Sequence, residues 1–191
     1  MALFHEYLGG LKDLIDQISE EFVEDLVSAL EEAWKSDRRV LLLGNGGSSS
    51  TASHIVADLQ KMVQLDTGKA LKALCVTDST PLLTAWANDT EYANVFSKQV
   101  TCWAETGDIV IAISGSGNSP NVIRAVEAGK EAGAVTYGLA GYGGGKLLET
   151  ADKCLVVESR NMQQIEDVHM IALHLIFSSL RKRVAPGGPV C

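Results

Sequence analysis

Nowhere does the chain hold an apolar run approaching the about 18 residues that cross a bilayer, so no membrane span is expected. An excess of Lys and Arg is also missing. Sixteen basic residues stand against 24 acidic ones, a formal net charge of −8, and that balance argues against a nucleic-acid surface. Four cysteines occur, Cys75, Cys102, Cys154 and Cys191, with no Cys-x-x-Cys pattern among them. Cys75 and Cys154 lie inside apolar runs and read as small buried hydrophobes, a usage that fits a reducing compartment. The first residues, Met1 to Glu6, lack a basic n-region and a long apolar h-region, so the expected location is the cytoplasm. No Pro/Gly linker divides the chain, which reads as one domain over residues 1–184 with a mobile tail at 185–191.

What is present is a core-forming composition, 46% hydrophobic, and one abrupt transition. The run Val40-Leu41-Leu42-Leu43 breaks into Gly44-Asn45-Gly46-Gly47-Ser48-Ser49-Ser50, and a helix-compatible segment, Thr51 to Met62, follows. A short apolar run ending in glycine reads as a buried parallel strand. Glycines there let backbone N–H groups approach a ligand, and the following helix points its positive end at the same spot. Strand, loop and helix together suit an anion, for which phosphate is the common biological candidate; an ordinary strand-to-helix turn is the alternative.

The remaining chain alternates strand and helix. Two amphipathic helices are expected within residues 4–36, placed to pack on a partner subunit or on their own domain. Strands are expected near 39–44, 71–76, 108–113, 134–139 and 153–157. Pro81 and Pro120 each open a helix in its favoured first turn, and a last helix covers about 162–183. This order predicts an α/β fold of three αβα layers, with a five-stranded parallel sheet and extra N-terminal helices.

A second loop, Ser114-Gly115-Ser116-Gly117-Asn118-Ser119, rhymes with the first: it too follows an apolar strand and precedes a helix. Neither loop carries the third glycine of a dinucleotide fingerprint, and no Walker A pattern occurs. Side by side, the two could hold one phosphate and the polar chain attached to it. The helix after the first loop carries His54 and Asp58, four apart and so on one face; on spacing alone they read as a surface pair. The last helix carries Glu166, Asp167, His169 and His174, a density that suggests acid–base or metal chemistry. Glu166 and His174 are eight residues apart, about 12 Å along a straight helix, and would reach one ion only if they leaned together or came from different subunits.

Taken together, Gly44-Asn45-Gly46-Gly47-Ser48, Asn88-Asp89, the Ser114–Ser119 loop and the Glu166–His174 pattern resemble the sugar isomerase (SIS) domain. Within it they are most similar to the sedoheptulose 7-phosphate isomerases, or phosphoheptose isomerases, over about residues 1–183. The resemblance implies a flavodoxin-like fold and a homotetramer with active sites between subunits. It implies interconversion of sedoheptulose 7-phosphate and D-glycero-D-manno-heptose 7-phosphate, feeding heptose to surface polysaccharide. It places the phosphate on Ser114, Gly115, Ser116 and Ser119, and substrate contacts on Asn45, Gly46, Gly47, Ser48, Asp58, Asn88, Asp89 and Glu166. It places one zinc ion per subunit on His54, Asp58, Glu166 and His174. Asp58 stands where the family typically has Glu, and Glu166 where it has Gln. On this reading Asp58 is the base and His174 the acid–base partner of an enediol isomerisation. The alternatives are isomerisation of another sugar phosphate and a non-catalytic phosphosugar-binding or protein-interaction module.

Overall fold

The computed structural model describes residues 1–187. The first segment forms two helices, α1 (Ala2–Ile15) and α2 (Glu20–Lys35), and the hydroxyl of Ser19 caps the second by accepting from Phe22 N. Next come β1 (Arg39–Gly44), α3 (Gly47–Ala57), a π-helical turn (Asp58–Met62) and α4 (Val63–Thr67). β2 (Lys72–Cys75) and α5 (Thr80–Asp89) lead through a 3₁₀ turn (Tyr92–Asn94) to α6 (Ser97–Trp103). β3 (Ile109–Ser114), α7 (Pro120–Glu131), β4 (Val135–Gly141), α8 (Gly145–Thr150), β5 (Lys153–Val157) and α9 (Met162–Val184) complete the order.

The five strands are all parallel and ordered β2-β1-β3-β4-β5. Successive strand side chains point to opposite faces, so the continuous apolar runs supply two cores at once. Val40 and Leu42 of β1, with Ile109, Ile111 and Ile113 of β3, pack under α2, α3 and α9. Leu41 and Leu43, with Val110 and Ala112, pack under α6, α7 and α8. Helices on both faces of a parallel sheet give the three layers expected from the sequence.

Strand limits shift by one or two residues, and the helix after the first loop departs from expectation at both ends. The helix after the first loop begins at Gly47 rather than Thr51, because Gly46 takes φ +55 and turns the chain at once into helix. It also runs past Met62: the π turn widens one turn, and α4 continues to Thr67. The amide of Gln60 in that turn donates to the Ala73 carbonyl of β2. After the turn, Asp66 forms a two-pronged ion pair with Arg181 of α9, with both side chains below 10% exposed.

α1 packs on α9. Its glycine pair does not break it; a Cβ at Gly10 would lie 2.8 Å from Gln164 Nε2, and the Gln164 amide donates to the Tyr7 carbonyl. Leu11, Ile15 and Leu14 of α1 meet Val157, Ile165 and Val168, while Leu3, Phe4 and Leu8 face outward, exposed. Of the tail expected at 185–191, residues 188–191 lie outside the described residues. Among the described residues no helix is long and apolar enough to cross a membrane.

Candidate functional site

The strand order reverses between β1 and β3, and in such sheets ligands sit beyond the carboxyl ends of the strands at that point. The two loops singled out in the sequence leave those two strands and flank that crevice. The β1–β3 ladder ends with Gly44 opposite Ile113.

In the first loop, Gly44 must be glycine for packing: a Cβ there would lie 2.6 Å from Ser48 Cβ and 2.9 Å from the Ile113 carbonyl oxygen. Ser48 is buried, and Ser49 donates to Thr77 Oγ1 at 2.8 Å, tying the start of α3 to the end of β2. Asn45 exchanges both amide hydrogen bonds with Asn121 of α7, each 2.9 Å. Tyr92 donates to Asn45 Oδ1 at 3.1 Å.

In the second loop, Gly115 lies under Met162 of α9, and Gly117, at φ +65, is pressed against the Gly144 carbonyl where no Cβ would fit. Ser114 and Ser119 face one another at 3.4 Å, and Ser116 accepts from Asn118 N at 3.2 Å. Ser119 is the residue before α7, so its hydroxyl and that of Ser114 lie together at the start of a twelve-residue helix.

Asn88 and Asp89 close α5, both exposed, with Asn88 Nδ2 donating to Asp89 Oδ1 at 2.8 Å. Tyr92, three residues on, links that segment to the first loop through Asn45.

α3 and α9 lie side by side and run the same way: Glu166 meets Gly47 near their starts, and His174 meets His54 farther along. His54 Nε2 and His174 Nε2 are 2.9 Å apart. Asp58 Oδ2 lies 3.5 Å from His54 Nε2 and 3.8 Å from His174 Nε2. Two imidazoles and a carboxylate thus form one cluster, its ligand atoms all within 4.8 Å of one another. The sequence spacing reads His54 and Asp58 as a surface pair; the structure adds His174 from 120 residues away.

Glu166 is not in that cluster. Its carboxylate lies over Gly47, where a Cβ would come 2.6 Å from Oε1. The reason is the helical rise, about 12 Å over the eight residues that separate it from His174. Glu166 places a negative charge at the positive end of α3, so that helix terminus already faces an anion belonging to the protein.

Three further residues, Tyr92, Asn121 and Met162, are absent from the set of candidates read in the sequence. Asn121, directly after Pro120, carries the one legible signal: a short amide in the first turn of a helix, where such side chains bond backbone and loop groups. Tyr92 and Met162 have no such signal, since each acts across the fold.

The SIS-domain family model matches residues 6–141. The phosphoheptose isomerase of Crocosphaera subtropica is 39% identical over 154 residues, 81% of this chain and 78% of that protein. That of Halorhodospira halophila is 35% identical over 190 residues, covering 98% of this chain and 94% of its own length. The chain belongs to the SIS-domain phosphoheptose isomerase family. Among solved structures, the phosphoheptose isomerase of Neisseria gonorrhoeae superimposes with a TM-score of 0.85 at 32% identity, over 94% of this chain and 95% of its own. The Francisella tularensis phosphoheptose isomerase has the same fold, with a TM-score of 0.88 at 24% identity, over 95% of each chain. The family model stops at the end of β4, so the α9 residues of the site rest on the longer relatives and on the geometry above.

Proposed function

We propose that the chain is an aldose–ketose isomerase that interconverts sedoheptulose 7-phosphate and D-glycero-D-manno-heptose 7-phosphate through an enediol. The observation that carries this reading is the meeting of His54, Asp58 and His174 at the α3–α9 crevice of a chain whose relatives are phosphoheptose isomerases. A non-catalytic binding module has no need of a base and an acid held together, and those relatives are named as enzymes.

The phosphate sits on Ser114, Gly115, Ser116 and Ser119, where hydroxyls and helix-start N–H groups supply donors without bulk. Holding the remote phosphate fixes the reacting carbons in register. Asn45, Gly46, Gly47, Ser48, Asn88, Asp89 and Glu166 face the sugar chain. Asp58 moves the proton between C1 and C2: Oδ2 faces both imidazoles, and the second carboxylate oxygen accepts the proton. His174 passes a proton to and from the adjacent oxygens through the ring nitrogen not turned to His54.

The donor set suits zinc. Two imidazole nitrogens and a carboxylate oxygen are ordinary zinc ligands, and bond lengths of about 2.0–2.1 Å put tetrahedral ligand atoms roughly 3.3 Å apart. The three separations of 2.9, 3.5 and 3.8 Å bracket that edge. His54, Asp58 and His174 would hold the ion and leave a position open; when bound, zinc would polarise the substrate carbonyl. Glu166, two turns away, is assigned to the sugar chain instead.

The assembly we propose is a homotetramer in the cytoplasm, with α1 against a second copy of the chain; support comes from the exposed Leu3, Phe4 and Leu8.

An NMR isomerisation assay over ketose phosphates tests the activity. Sedoheptulose 7-phosphate should turn over, and Asp58→Asn and His174→Ala should each lower kcat by about 10²–10⁴. Unchanged rates in both variants would overturn the assignment. Stabilisation by sugar phosphates with no isomerisation would instead favour the binding module.

A further inference from the structure

We propose that Asn121 and Tyr92 are positioning residues, which hold Asn45 and the entry to α3 in register with the phosphate loop. The proposal rests on the isomerase reading above.

Asn121 is a polar side chain only 2% exposed. Its Nδ2 donates to Asn45 Oδ1 and its Oδ1 accepts from Asn45 Nδ2, both at 2.9 Å, across 76 residues of sequence. The same Oδ1 accepts from Val122 N at 3.0 Å, which fixes the amide to the first turn of α7. Tyr92 also donates to Asn45 Oδ1 at 3.1 Å, although the residue itself is 59% exposed. Both acceptor sites of Asn45 Oδ1 are thereby filled from within the protein, and one of its two Nδ2 hydrogens is also taken. The side chain keeps a single N–H for any ligand. Its larger part is structural: it is the knot of a three-residue tie.

The place of that tie gives it a consequence for the reaction. The β1–β3 ladder ends at Gly44 opposite Ile113. Beyond it the chains diverge, one into α3 with His54 and Asp58, the other through the phosphate loop into α7. The paired amides cross-link the two paths immediately past the last ladder rung. The phosphate end and the reacting end of the substrate are thus gripped by different elements, and this tie sets the offset between them. An amide pair suits that task because each partner must both give and take, which admits one relative placement.

The test uses the full chain and compares Asn121→Asp, Asn121→Ala and Tyr92→Phe with the native protein. Asn121→Asp keeps size and the acceptor for Val122 N, but turns a second acceptor toward Asn45 Oδ1. Four quantities are measured: kcat, KM for sedoheptulose 7-phosphate, the inhibition constant of inorganic phosphate, and Tm. A displaced reacting end should lower kcat by about tenfold or more in both Asn121 variants, since misplacement by 1 Å can lower a rate about 10²-fold. In Asn121→Ala and Tyr92→Phe, KM and phosphate inhibition should stay within about threefold, because neither change adds charge or removes a hydroxyl from the phosphate loop; Asn121→Asp, which brings a negative charge to the first turn of α7, is read on kcat. Tyr92→Phe should show the same pattern at about two- to fivefold in kcat.

Native kcat in the Asn121 variants would overturn the proposal, as would parallel loss of phosphate inhibition, Tm and kcat, which marks general damage. Should the Asn121 variants fail to fold, Tyr92→Phe decides, and native kcat in it overturns the proposal. Native turnover with unaffected variants would remove the tie and leave the isomerase standing, whereas absence of native turnover would remove both.

Discussion

At the scale of single residues, two side chains make sharp predictions. Gly47 is the first residue of α3 and carries no positive φ, so alanine suits its backbone and gains up to about 1 kcal/mol in helix propensity. Its Cβ would displace the Glu166 carboxylate, the mobile end of a side chain. Gly47→Ala should therefore keep or raise Tm while lowering kcat/KM by about tenfold or more, as read by thermal melts beside the isomerisation assay. His169 is 1% exposed on α9; its Nε2–H donates to the Ala140 carbonyl at 3.2 Å, and Nδ1 has no partner among the described residues. Burial pushes this imidazole down to about 4. The unfolded chain binds that proton near the ordinary value of about 6.5, so the contribution to stability is complete above that pH and is lost as pH falls toward 4. The loss amounts to about 3 kcal/mol, using 1.36 kcal/mol per pKa unit. Urea midpoints at pH 7 and pH 4.5 should fall further for the native chain than for His169→Gln; equal losses would refute it.

Among elements, the most informative is the long helical run after the first loop. Its α-helical part carries His54, the π turn opens at Asp58 four residues on, and Asp66 beyond it is clamped to Arg181. The guanidinium holds the Asp66 carboxyl below its ordinary range. Removing the acid takes this two-pronged pair from between α4 and α9, so Asp66→Ala should destabilise by about 1.5–3 kcal/mol, measurable by urea denaturation, with His54 and Asp58 left in place. The sequence reveals this run only in part. Gly47 and Ser48 to Ser50 are weak helix formers, and it is the Gly46 turn and packing beneath Glu166, not propensity, that make them helical. The π turn has no signature in Asp58-Leu59-Gln60-Lys61-Met62, because it arises from satisfying the sheet on one side and α9 on the other. The strands, by contrast, are legible to within a residue or two, since each is a short apolar run buried on both faces.

For the whole molecule, sequence order fixes which loops can meet but not which side chains do. The alternation of strand and helix already implies a crevice between the loops after β1 and β3. That His174 closes on His54, and Asn121 on Asn45, depends on how α9 and α7 are laid over the sheet, which no local pattern records. At this scale the proposed zinc and assembly are tested together. Metal analysis of the native chain should find one zinc per subunit, reduced in His54→Ala, and sedimentation should give a tetramer that Phe4→Asp with Leu8→Asp dissociates; full metal in the first and an intact tetramer in the second would contradict the respective assignments.

The hydrogen bond from Gln60 to Ala73 has a bearing on solubility. β2 is a border strand, and a bare border strand is a template on which a foreign chain can add another. With that carbonyl already occupied by an amide from the widened turn, an incoming strand would first have to dislodge it, so the same irregularity that begins at Asp58 also guards the open margin of the sheet against runaway stacking.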